Sequence, residues 1–78
     1  MRDLLAECGD ALYGHRFQRE LAEALGVNER TMRRWIAGEF AIPSGVAALL
    51  VLLCSARRDE LKAIEKKLRT RSALEPKP

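Results

Sequence analysis

The sequence predicts an all-α fold: a small bundle of four to five helices, the last of them long. Three observations predict it. Apolar residues recur at three- and four-residue intervals, the period of one helix face. No segment alternates apolar and polar residues with the period of two that a half-buried strand requires. Glycines and prolines mostly fall between the periodic segments, Gly9 being the main exception.

The first segment spans residues 2–12, with Leu4, Leu5, Cys8 and Leu12 at helical spacing. Gly9 lowers its helix propensity, and Tyr13, Gly14 and His15 break the pattern. A second set runs through Phe17, Leu21, Ala22 and Leu25. Gly26 stops it, where a left-handed backbone suits a helix C-terminus. Asn28 then offers its side chain as the cap of a third helix, residues 28–37. Val27 and Met32 occupy the two positions of a hydrophobic staple. Glu29 falls in the first turn, where a negative charge opposes the helix dipole favourably. Met32, Trp35 and Ile36 are expected to face inward. That leaves Glu29, Arg30, Arg33 and Arg34 outward.

Gly38 ends the third helix, and residues 39–42 form a connector. Pro43 is pre-shaped for a first helical turn. Beyond it Val46, Leu50, Leu53, Leu61, Ile64 and Leu68 keep the helical period, with Arg57 filling one gap. One continuous helix over residues 43–71 is the simplest reading; a break within 55–59 is the competing one. The polar residues 72–78, which include two prolines, are expected to be a disordered tail. The whole reads as one domain over residues 1–71.

A chain of 78 residues buries only roughly 60–65% of its unfolded surface, so its stability is modest. With 47% hydrophobic and 32% charged residues, the composition is that of a globular protein. The net charge of +3 is unevenly spread. Residues 1–25 carry three basic against five acidic groups, a net −2, whereas residues 57–71 carry seven against three, a net +4. Basic groups gathered on particular helices point to a polyanionic partner.

Several function classes are disfavoured. No apolar run approaches the roughly 18 residues of a membrane span, and the N-terminus shows no signal-peptide pattern. A cytoplasmic protein with free, buried Cys8 and Cys54 thiols is expected, a disulfide between them being the alternative. His15 stands without Cys or His partners at ligand spacing, so no metal and no cofactor are expected. No nucleophile and base, and no paired carboxylates, suggest an enzyme or a small-molecule substrate.

The stretch from Gln18 to Trp35 resembles the helix-turn-helix of regulators of the phage repressor/Cro type. Gln18 stands at the polar start of that motif, and Ala22 at the small position where its two helices cross. Gly26 is the turn glycine, followed by the apolar Val27. Met32 and Trp35 match the apolar and bulky positions of the second helix, although Met32 replaces a more usual Val or Ile. A larger side chain at Ala22 would push the helices apart, and a Cβ at Gly26 would strain the turn.

The resemblance implies sequence-specific binding of double-stranded DNA, with helix 28–37 in the major groove. By position it assigns base reading to Glu29, Arg30 and Arg34, with Thr31 on the same helix. Gln18 would touch a phosphate or a base edge, and Arg16, Arg19 and Arg33 would contact phosphates. Backbone amides near residues 16–18 would add an anion site. Arginine suits both tasks, since its planar fork pairs bidentately with guanine. A nucleoid-associated transcriptional repressor, phage or bacterial, is the expected function, acting by occupancy without an effector domain.

The apolar stripe Leu61, Ile64 and Leu68 needs a partner, because a helix over 43–71 would be about 43 Å long and would outreach so small a domain. A homodimer through these residues is expected, placing two recognition helices about 34 Å apart on a roughly palindromic site. The competing function is a protein-interaction module, of antitoxin or adaptor type, that docks a protein partner through the same helix.

Overall fold

The computed structural model describes residues 1–74, all of whose regular structure is helical. Four α-helices follow in order: α1 (Arg2–Tyr13), α2 (Gln18–Leu25), α3 (Glu29–Ala37) and α4 (Gly45–Leu74). The expected elements are present at nearly the expected places, with Phe17 and Asn28 standing just outside α2 and α3 as their N-terminal flanking residues.

Local chemistry sets the boundaries. At the end of α2, Gly26 adopts φ 74°. Its N–H donates to Glu23 O at 3.2 Å and the N–H of Val27 donates to Ala22 O at 3.0 Å. The same double closure ends α3: Gly38 has φ 78°, its N–H donates to Trp35 O at 3.1 Å, and the N–H of Glu39 donates to Arg34 O at 2.9 Å. Both are Schellman caps, which satisfy carbonyls the helix leaves open. At the start of α3 the Thr31 N–H donates to Asn28 Oδ1 at 2.7 Å, an N-cap worth about 1 kcal/mol.

The core draws on every helix: Leu5 from α1, Leu21 and Ala22 from α2, Met32 and Trp35 from α3, and Val46 and Leu50 from α4, with Phe17 preceding α2. Leu5, Leu21 and Met32 are completely buried. α2 and α3 pack most closely, and α1 bridges both to α4. Gly9 has a packing role there. It is buried on α1, and a Cβ at this position would overlap the Phe17 ring. The absent side chain is what lets the ring lie against the helix.

Four expectations need correction. α4 starts at Gly45, two residues after Pro43, and runs without a break through Leu74. Residues 72–74 of the expected tail are therefore helical, because nothing before Pro76 interrupts the chain; residues 75–78 lie outside the described residues. Leu4 is exposed, since the inner face of α1 is the one carrying Leu5 and Gly9. Ile36 is only half-buried, at the edge of the core formed by Met32 and Trp35. The cysteines are not core residues either: Cys8 is half-buried and Cys54 exposed. They lie at the flank of the α1–α4 seam, where no third helix covers them, with their sulfurs 3.6 Å apart. Both are free thiols.

α4 gives the molecule its shape. Thirty residues make about 45 Å of helix, and the molecule measures 55 × 22 × 19 Å. Its inner face is covered from Val46 to Arg57. Arg57 completes that stretch by donating from its guanidinium to Leu12 O at 3.1 Å, its charge 5.5 Å from the Tyr13 ring centre. Beyond α1 the same face emerges bare. Leu61, Ile64 and Leu68 are 56%, 51% and 62% exposed.

Candidate nucleic-acid interface

α3 is held rigidly at both ends and anchored along its inner side by Met32 and Trp35. With a period of 3.6 residues, fixing those two inward turns Arg30 and Arg33 outward, and both are exposed. Arg34 is half-buried rather than fully outward. Its guanidinium carbon lies 5.0 Å from the centre of the Phe40 ring, a cation–π contact that limits where this long side chain points. The sequence reading missed Phe40. The available signal was an exposed aromatic two residues past the Gly38 cap, within reach of the last turn of α3.

The candidate residues fall into two neighbouring depressions. One, about 280 Å³, is lined by Arg30, Arg33, Arg34, Ala37 and Glu39. The other, about 480 Å³, is lined by His15, Arg16, Gln18, Arg19 and Glu29. Glu29 and Arg33 link them through an exposed ion pair of 3.5 Å. Seven of the eight expected DNA-contacting residues thus lie around two adjoining hollows. Thr31 lines neither; it is half-buried, and its backbone N–H is engaged by the Asn28 cap.

The charges are unevenly committed. Arg33 pairs with Glu29, and Arg19 with Glu23 at 3.7 Å. Such exposed pairs contribute little and exchange readily for another anion. Arg16, Arg30 and Arg34 make no ion pair with any described residue. His15 is almost fully exposed at the rim of the second hollow, with its Nδ1 2.8 Å from Asp10 Oδ1.

Among the described residues no group of three or more His, Cys, Asp or Glu side chains is placed to hold a metal ion. No described helix is long and apolar enough to cross a membrane. No family model, no curated protein and no solved structure matches this chain.

Proposed function

We propose that this protein is a sequence-specific double-stranded DNA-binding regulator, of the repressor-like phage or bacterial kind, that inserts α3 into the major groove. The observation that carries the reading is the arginine set. Arg16, Arg30 and Arg34 lack carboxylate partners: Arg30 and Arg34 line one hollow along a capped, braced helix, and Arg16 lines the other with Gln18. Carboxylate pairing would commit these groups to the fold; without it Arg30 on α3, Arg34 stacked on Phe40 and Arg16 just before α2 suit phosphates and base edges. Arg30 and Arg34 read bases, while Arg16, Arg19 and Arg33 hold the backbone. Occupancy of a promoter by this face suffices for repression, in the cytoplasm and on the nucleoid, and the reading involves no catalysis, cofactor or small-molecule substrate.

Selection from random duplex DNA, repeated at low and high salt, tests this. Enrichment of one motif, with affinity falling as salt rises, is expected. Recovery of unenriched sequence at both salts would refute sequence-specific reading.

One observation favours a second reading. The bare stripe of Leu61, Ile64 and Leu68 on α4 suits a protein-interaction module of the antitoxin or adaptor kind. Association with such a partner would persist at high salt, because apolar burial is not screened.

A further inference from the structure

The apolar stripe on α4 ends in a groove. About 390 Å³ of space lies between α1 and α4, lined by Cys8, Ala11, Leu12, Cys54, Arg57, Arg58 and Leu61 and closed at the rim by Lys62 and Glu65. Leu61 is common to the groove and the stripe, and Ile64 and Leu68 lie further along α4. A helix laid along this stripe would enter the groove at one end, so the question is which helix it is.

The charges beside the stripe answer it. Arg57, Leu61, Ile64 and Leu68 follow the alternating four- and three-residue spacing of a helix–helix seam. The residues immediately before Leu61 and Leu68 are Glu60 and Lys67, and both lie on one flank. The residues immediately after Arg57 and Ile64 are Arg58 and Glu65, and both lie on the other flank. In an antiparallel pair each flank meets the same flank of the other helix, read backwards. With Leu61 beside Ile64 of the second copy, Glu60 faces its Lys67, and Arg58 faces its Glu65. The two-fold axis repeats both pairs, so four opposite-charge contacts border the seam. A parallel pair instead sets Glu60 against Glu65 of the second copy. Flanking charges of this kind set partner and orientation.

We propose that two copies of this chain associate through an antiparallel crossing of α4 centred between Leu61 and Ile64, beyond the stretch that α1 covers, the crossing carrying residues 69–74 of each copy past the side of the other's α1. The pairs the four flanking groups make within one chain do not oppose this. Arg57–Glu60, Arg58–Asp59 and Arg69–Glu65 are exposed contacts of 3.7–3.8 Å, weak enough to be shared with a second copy. The association needs no DNA and stands independently of the DNA-binding reading.

Sedimentation velocity of the full chain without DNA, from micromolar to millimolar concentration, tests the proposal. The wild type is expected to move from 8.8 kDa to twice that mass. Leu61→Glu with Leu68→Glu, both exposed and so harmless to the fold, is expected to remain monomeric with unchanged helicity. Glu60→Lys is expected to weaken the dimer several-fold by facing Lys67, and adding Lys67→Glu is expected to restore it. A wild type that stays monomeric throughout would overturn the proposal. So would a Glu60→Lys variant that dimerises more tightly, because only the parallel arrangement gains from that change.

Discussion

The guanidinium of Arg34 lies 5.0 Å from the centre of the Phe40 ring, so a residue on the connector holds a residue on α3. The contact reaches back across the Gly38 cap, where the chain reverses out of α3. A freely rotating arginine would lose side-chain entropy on pairing with a base; one already stacked loses less.

Replacing Phe40 with alanine should therefore weaken binding to the preferred site by about 0.5–1 kcal/mol, the size of an exposed cation–π contact. Tyrosine at the same place should retain the affinity. Because Phe40 is half exposed, thermal stability should change little. Arg34→Ala itself should cost about 1–3 kcal/mol and relax base preference at the position it reads. Fluorescence anisotropy against the selected duplex and single-base variants of it measures both effects.

Gly9→Ala should destabilise the fold. Within a helix this exchange ordinarily gains up to about 1 kcal/mol. Here the new methyl group meets the Phe17 ring, and overpacking of a filled site costs about 1–3 kcal/mol. A lower urea midpoint at unchanged slope is the expected result. A Gly9→Ala, Phe17→Leu double variant should lose less than the two single losses added together, since the two sites are in contact.

The Cys8 thiol is pushed up to about 11 from an ordinary 9.0, chiefly by burial, then by its hydrogen bond with Cys54 and by the charge of that neighbour. The folded chain thus keeps the proton after the unfolded chain has lost it. This contribution to stability is whole below pH 9 and disappears as pH rises towards 11. Urea midpoints measured from pH 8 to pH 11 should fall further for the wild type than for Cys8→Ala.

The elements were legible because short-range chemistry encodes them. Gly26, Asn28 and Gly38 mark their helix ends through backbone geometry and one side-chain bond, which a sequence displays directly. The inward pair Met32 and Trp35 was legible for the same reason: one helical period fixes both. What escaped depended on docking. Cys8 and Cys54 are 46 residues apart, and only the placement of α1 on α4 leaves both at an open flank. Leu4 shares the helical spacing of Leu5, yet the other helices cover one side of α1 alone. Phe40 sits in a connector with no period, so the only signal of its contact with Arg34 was an aromatic side chain just past the Gly38 cap. Residues 72–74 were misjudged because a short segment leading into two prolines resembles a frayed end, whereas none of these three residues breaks a helix.

In the proposed complex α3 reads bases while its neighbours hold phosphates. This division of roles is tested most directly by equilibrium binding of the wild type and of Arg30→Ala with Arg34→Ala to the selected duplex and to a scrambled one, each over a series of salt concentrations. The wild type should prefer the selected duplex, with log K falling linearly in log salt. The double variant should bind both duplexes alike, retaining a salt-dependent, sequence-blind affinity through Arg16, Arg19 and Arg33. A double variant that still discriminates the two duplexes as the wild type does would contradict the account.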